Sequence, residues 1–465
     1  MRLKIDSRVT IYEPNAAIEN WVKQCLTFVN PDYAKKERMG LWTGNTPRNI
    51  KMYEKLSSGA LRVPYGCLNK VISLCPYNTE IKLDFAPTQK VNYNAKVNLY
   101  DYQIRAVDYL KTAYYGILEA PPGSGKTQMG IALICQLGLK ALWITHTKDL
   151  LLQSKQRAEQ YIDSSLIGTI TEGQVDIGTG ITFATVQTLA NLDLPTYKNE
   201  WNIVIVDECH NVAGSPTNVT RYSRVLSYLS PMYKYGLSAT VHRSDGLIAC
   251  TKALLGDVVY EITKEDVGEK IMKVGICPID TKIEAPLSVY KADGTIDHAK
   301  MITWLSENEE RNQLIIDTLM SEPIVSTIIL TDRKEHSKRL MEMLPDDILD
   351  LAVTINGDSR KTTRERAIED MKSGKKKILI ATFNLAKEGL DIPCLEREYL
   401  VSPHRDYAVI SQAIGRVARA YPGKEKAIVY DFVDVPTKHL YRDYRKRITT
   451  YKKNKCYWIV NDSSS

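Results

Sequence analysis

The segment Ala120-Pro121-Pro122-Gly123-Ser124-Gly125-Lys126-Thr127 follows the apolar run YYGILE and leads into a helix-like stretch over 127–137. Glycines let backbone N–H groups approach an anion closely, and a helix N-terminus adds positive potential, so this segment is suited to cradling phosphates. Lys126 is placed to reach the β- and γ-phosphates of ATP, and the Thr127 hydroxyl to ligate Mg²⁺. Pro122, Gly123, Ser124 and Gly125 form the wall of the cradle. The usual GxxxxGK(S/T) string opens on glycine, and Ala120 stands there instead. About 80 residues on, the apolar run 201–206 ends in Asp207-Glu208-Cys209-His210. A carboxylate at a strand's C-terminal edge can hold Mg²⁺ through water, which suits Asp207. Glu208 is placed to orient or deprotonate an attacking water. Together the two segments predict a lobe that binds and hydrolyses a nucleoside triphosphate.

Two alternating regions position these residues. YYGILEAPP, ALWITH, GITFAT, WNIVIVDE and YKYGLSAT read as buried parallel strands, with helical patterns such as 127–137 and 148–161 between them. The pattern returns in VSTIILTD, DLAVTI, KKILIAT, REYLVS and KAIVYDFVD, with helices predicted over 334–343 and 362–371. The expectation is an α/β protein with two tandem parallel-sheet lobes, at 96–262 and 301–435. A connector is expected over 263–300 and a basic tail over 436–465. Residues 1–95 alternate like strands and then show one helical face (Ile18, Trp21, Val22, Cys25, Leu26 and Val29), which predicts a small α+β domain. Its aromatics, Trp21 and Trp42 among them, read as core.

Charge is segregated. Residues 1–95 carry 14 Lys/Arg against 8 Asp/Glu, and residues 436–465 carry 8 against 2, around a mildly acidic centre. Basic ends suit a polyanion partner, although such runs are often solvated faces. The tail KHLYRDYRKRITTYKKNKCYW could track phosphates with aromatics nearby, or pack as a helix on the second lobe. A 44% hydrophobic and 25% charged composition excludes a mainly disordered chain. No apolar run approaches a membrane span, and MRLKIDSRVTIYEPN does not read as a signal peptide. Nine scattered cysteines, none in a CxxC pair, suggest a reducing, cytoplasmic setting.

From these motifs the chain resembles a superfamily-two helicase of the DExH kind, with two RecA-like lobes. Gln103 in LYDYQ resembles the family's Q-motif glutamine, which reads adenine. Ser238-Ala239-Thr240, with His210, resembles the elements that couple the ATP site to movement. Residues 380–393, with Gly389 and Asp391 toward the nucleotide, resemble motif V. Gln412-Ala413-Ile414-Gly415-Arg416-Val417-Ala418-Arg419 resembles motif VI, where Gln412, Arg416 and Arg419 serve catalysis. The family's nucleic-acid contacts map onto Thr145, Thr147, Lys148, Thr185, Gln187, Thr331, Arg333 and Thr382. Hydroxyl and amide groups at strand ends suit phosphate oxygens, which position a strand without reading its sequence.

At the N-terminus, GLWTG and RVPYG resemble the leading domain of phage UvsW-type helicases, relatives of the XPB-like and RecG-like motors. They depart from that group's GNWDG and LLPFG. The resemblance implies a DNA motor for Holliday junctions and forks, moving 3′→5′, without an obligate oligomer, in the host cytoplasm if phage-encoded. An RNA helicase, a restriction-system motor subunit and a nucleotide-switched clamp stay open as alternatives.

Overall fold

The computed structural model describes residues 1–241, 247–268, 271–387, 390 and 392–459. The chain forms two compact units, Met1–Asp266 and Val267–Ser465.

In the first unit, alternation in RLKI and RVTIY turns Leu3, Ile5, Val9 and Ile11 into the core. Arg2–Ile5 and Arg8–Tyr12 pair antiparallel at the centre of a five-stranded sheet. Leu61–Pro64 and then Glu54–Lys55 extend one side, and Glu80–Leu83 pairs in parallel on the other. The helix Ala16–Cys25 buries Ile18 and Val22, and its Asn15 cap accepts the Ile18 N–H. A separate two-stranded piece, Thr27–Val29 with Asn49–Lys51, carries the helix Pro31–Arg38 and the turn 39–48.

The lobe that follows is an eight-stranded sheet. Its order is Gln174–Asp176, Ile167–Thr171, Ile181–Thr185, Ala141–Thr145, Ile203–Val206, Tyr233–Ser238, Tyr115–Glu119, Val258–Glu261. Every pairing is parallel except that of Gln174–Asp176. The apolar runs IVIV and ALWIT are buried throughout, as strands covered on both faces require.

The N-terminal sheet is seated on this lobe with no intervening space. A side chain on Gly66 would collide with the backbone of the helix Ile248–Leu255, meeting the Lys252 carbonyl at 2.5 Å and the Ala253 carbonyl at 2.7 Å. Lys234, 1% exposed, donates to the Ser7 and Leu226 carbonyls at 3.2 Å and lies 4.9 Å from the centre of the Tyr65 ring. Around the rim, Lys198 meets Asp84 at 3.3 Å, and the Ala86 N–H donates to the Ser230 carbonyl.

The second unit holds seven parallel strands: Ala352–Ile355, Ile378–Thr382, Thr327–Thr331, Arg397–Leu400, Ile428–Val433, Gly275–Asp280, Tyr457–Trp458. Two segments differ from expectation. Gly275–Asp280 lies in the stretch 263–300 read as a connector, yet it is a strand of this sheet, and the helix His298–Glu307 also begins there. The stretch 436–465, read as a tail, contains the helix Lys438–Lys453. This helix buries Leu440, Arg447 and Tyr451, and the strand Tyr457–Trp458 follows it. Arg447 forks onto Asp431 at 2.8 and 2.9 Å, and the Tyr451 hydroxyl donates to the same carboxylate at 2.6 Å.

Among the described residues no helix is long and apolar enough to cross a membrane.

Candidate functional site: an ATP cradle and two strand-end threonine pairs

The strand Tyr115–Glu119 delivers the chain to the cradle, and the helix Lys126–Leu137 leaves it. Gly123 and Gly125 have φ of +83° and +82°, a backbone shape that side chains disfavour. Ala120 has no such requirement, which explains how alanine replaces the family's first glycine. Its carbonyl accepts from Lys126 Nζ at 3.2 Å.

Within the cradle the Ser124 hydroxyl oxygen is buried and has no hydrogen-bond partner, as expected of a group that waits for a ligand oxygen. That orphan and the two left-handed glycines fit a triphosphate. Thr127, in the first helical turn, and Asp207 are the residues that would hold Mg²⁺.

Gln103 braces the loop from below. Its Nε2 donates to the Ser124 carbonyl at 2.8 Å and its Oε1 accepts the Tyr100 N–H at 2.9 Å. Both ends of the amide are thus engaged within the chain, and a Cβ at Gly125 would strike it. Tyr102 adds a second support, donating to the Ser124 carbonyl at 3.0 Å.

The strand Ile203–Val206 places Asp207 and Glu208 beside the cradle, and Tyr233–Ser238 runs between it and the strand Tyr115–Glu119. Glu208 has φ +44°, a strained turn for a non-glycine, at the point where the carboxylate reaches 4.0 Å from Lys126 Nζ. Burial pushes the Glu208 carboxyl up, but the Lys126 ammonium and His210 more than offset this and hold it below the usual carboxylate range. A carboxylate kept ionised can accept hydrogen bonds from a water. Asp207 shifts the other way, raised by burial and then by the Glu208 charge. It accepts from the Glu208 N–H at 2.9 Å and from the Ser154 hydroxyl at 3.2 Å.

His210 Nδ1 lies 3.2 Å from Glu208 Oε2 and 3.1 Å from the Ser238 hydroxyl. Ser238 in turn donates to the Thr240 carbonyl at 2.7 Å. Ala239 lies between them, in a segment whose register neighbour is Glu119. His210 thus stands between the Glu208 carboxylate and the Ser238 hydroxyl, which is bonded to the segment that follows this strand.

The two lobes carry matching strand-end pairs. Thr145 and Thr185 are register partners at the ends of adjacent strands in the first lobe, and Thr331 and Thr382 are register partners in the second. Thr147 caps the helix Lys148–Ala158 by accepting the Leu150 N–H, and Gln187 Nε2 donates to the His146 carbonyl at 2.8 Å. Lys148 pairs with Glu172, so an anion would compete for it. Thr331 donates to the Arg333 carbonyl at 3.1 Å.

In the second lobe Gln412, Arg416 and Arg419 lie on or just after the helix Tyr407–Val417, and Arg416 donates to the Ala386 carbonyl. Gly389 and Asp391 lie outside the described residues. The sequence reading missed Tyr102, Ser154 and Glu398. The last is a fully buried carboxylate in the strand Arg397–Leu400, with neither oxygen hydrogen-bonded. Burial raises it to about 7, against the pull of the Arg416 guanidinium. A charge inside the apolar run REYLVS was the only available signal for Glu398. Ser154 carried none.

Comparison with known proteins agrees with this geometry. The family "Type III restriction enzyme, res subunit" matches residues 96–243, and "Helicase conserved C-terminal domain" matches 310–421. A protein of Acanthamoeba polyphaga mimivirus, provisionally named an ATP-dependent RNA helicase, is 24% identical over 381 residues, covering 79% of this chain and 70% of its own. The DNA 3'-5' translocase XPB2 of Sulfurisphaera tokodaii is 30% identical over 177 residues, 38% of each chain. In fold, the chain is similar to S. cerevisiae Dbp5 bound to RNA and ADP BeF3, with TM-score 0.56 and 17% identity over 78% of this chain and 90% of that one. With a phosphate cradle, a DECH strand end and both helicase domains in order, the chain belongs to helicase superfamily two and is an ATP-driven helicase.

Proposed function

We propose that this helicase is a DNA motor for branched substrates, moving 3′→5′ and acting on Holliday junctions and forks in replication, recombination or repair. The observation that carries this reading is the close seat of the basic N-terminal domain on the ATP-binding lobe at Gly66 and Lys234. A domain fixed in this way can hold one duplex arm while the motor draws on another. The resemblance of GLWTG and RVPYG to UvsW-type leading domains supports the same reading.

In the reaction, Lys126 and the cradle N–H groups bind the phosphates, and Glu208, kept ionised by Lys126, orients the attacking water. Mg²⁺, held by Thr127 and Asp207, would supply positive charge to the phosphate oxygens. Arg416 and Arg419 serve the transferred phosphate as motif VI arginines. His210, placed between Glu208 and Ser238, would couple the state of the site to the rest of the lobe. Thr147, Lys148, Thr185, Gln187, Arg333 and Thr382 would receive the DNA backbone, with the buried Thr145 and Thr331 bonded to the backbone that leads to Thr147 and Arg333.

The test compares ATP-dependent processing of a four-way DNA junction, a 3′-tailed DNA duplex and a matched RNA duplex. Lys126→Ala should abolish turnover on all three while leaving nucleotide-free DNA affinity largely intact. Glu208→Gln should bind ATP and hydrolyse it about 100-fold or more slowly. Preference for the junction is expected. Preference for RNA, in line with the name of the mimiviral relative, would move the engine to the RNA reading.

A further inference from the structure

The turn 39–48 of the N-terminal domain presents Trp42 to solvent at 86% exposure, flanked by exposed Met39 and Leu41. The residue type alone predicts a core position for this indole, and the structure places it outside the core. The turn is nevertheless built rather than loose. Leu41 N–H donates to the Lys36 carbonyl and Thr46 N–H to the Thr43 carbonyl, both at 2.9 Å. Lys36 Nζ ties to the Thr46 hydroxyl at 2.7 Å. The buried Asn30 side chain donates to the Pro47 carbonyl at 2.9 Å and caps the helix Pro31–Arg38.

Gly44, at φ +49°, lies against the six-membered ring of the indole, and a Cβ there would meet the ring at 2.7 Å. One part of the ring is therefore supported by glycine while the rest is open. The helix, turn and strand of the same small piece carry Lys35, Arg38, Arg48 and Lys51, all exposed and with no ion pair among the described residues. The only acids in 31–51 are Asp32 and Glu37.

We propose that Trp42 is a base-stacking site for DNA, engaging an unpaired base where strands separate, with Lys35, Arg38, Arg48 and Lys51 on the adjoining phosphates. A supported, outward-facing indole on the same piece as unpaired cations has the two properties that single-stranded DNA rewards, an aromatic face for a base and positive charge along the backbone. Apolar side chains beside it, Met39 and Leu41, suit a wedge entering between base steps. Charge complementarity favours a polyanion over an apolar or neutral protein surface, which would leave these cations without partners. This assignment rests on the DNA reading given above.

The experiment uses the full chain and a forked DNA with 2-aminopurine at the first unpaired position beside the duplex, without nucleotide. Wild type and Trp42→Phe should quench the probe by stacking. Trp42→Ala should lose the quenching and bind the fork about 5- to 100-fold more weakly, the range expected of one aromatic–base stack. The slope of affinity against salt should stay as in wild type, because no phosphate contact is removed. Tyr77→Ala, at a still more exposed aromatic elsewhere in the domain, is the control and should behave as wild type.

Quenching and affinity in Trp42→Ala equal to wild type would overturn the assignment and leave this face to a protein partner or to solvent. Fork-stimulated ATPase of the wild-type chain, measured alongside, reports separately on the DNA reading. Its absence would overturn that reading whatever Trp42 does.

Discussion

The two ends of the chain are about equally basic, yet they differ in what their cations and aromatics meet. In the N-terminal segment 31–51, Lys35, Arg38, Arg48 and Lys51 are exposed, as is the Trp42 indole. In the C-terminal helix Lys438–Lys453, Arg447 is drawn into the second lobe, where it saturates Asp431 and donates to the His404 carbonyl at 3.0 Å. Tyr451 is buried against the same carboxylate. The other cations of that helix, Lys438, Arg442, Arg445, Lys446, Lys452 and Lys453, are exposed. Net charge thus identifies a basic segment, but the partner of each cation decides whether that segment is an interface or a piece of core.

The largest effect should come from the buried pair. Arg447→Ala leaves Asp431 enclosed and uncompensated, and should destabilise the second lobe by about 3–5 kcal/mol. Thermal unfolding checks this, and a loss below about 1 kcal/mol would erase the contrast between the two ends.

The base of the N-terminal domain gives the next effect. Burial, only partly countered by the Asp6 charge, lowers the Lys234 ammonium to about 7. An unfolded lysine stays protonated to about pH 10, so between about pH 7 and 10 unfolding takes up a proton and stability rises with pH. Lys234→Met should remove this rise, a difference of a few kcal/mol across the window, seen by comparing unfolding curves of the two proteins from pH 6 to 10. Parallel curves would mean that the amine is not desolvated.

The smallest change in stability belongs to the segment 31–51. Lys35→Ala/Arg38→Ala/Arg48→Ala should move stability by no more than about 0.5 kcal/mol. It should nonetheless flatten the salt dependence of DNA affinity by roughly one log unit per lost phosphate contact. An unchanged salt slope would reduce this face to a solvated one.

What the sequence made legible was local. The cradle and the DECH strand end could be read because their residues are contiguous and flanked by apolar runs that form strands almost regardless of context. Gly275–Asp280 escaped notice because GICPID carries a proline. The structure tolerates Pro278 there because the neighbouring strand Tyr457–Trp458 pairs only with Gly275 and Ile276, so no ladder donor is missed on that side. Ser154, Lys234 and Glu398 owe their roles to partners 53, 227 and 18 residues away, namely Asp207, Ser7 and Arg416. No pattern of spacing encodes such meetings. Trp42 shows the reverse failure: a tryptophan is usually read as interior, and only the fold reveals that this turn has no interior to offer it.

The contact at Gly66 has a mechanical consequence. The backbone there abuts the helix Ile248–Leu255 with no room even for a methyl group, so at this point the N-terminal domain is joined to the lobe by direct packing and not by a tether. A compliant tether would absorb part of each stroke as stretch. A packed joint would pass more of that displacement on, so a strand held at Trp42 would move with the ATP-binding lobe.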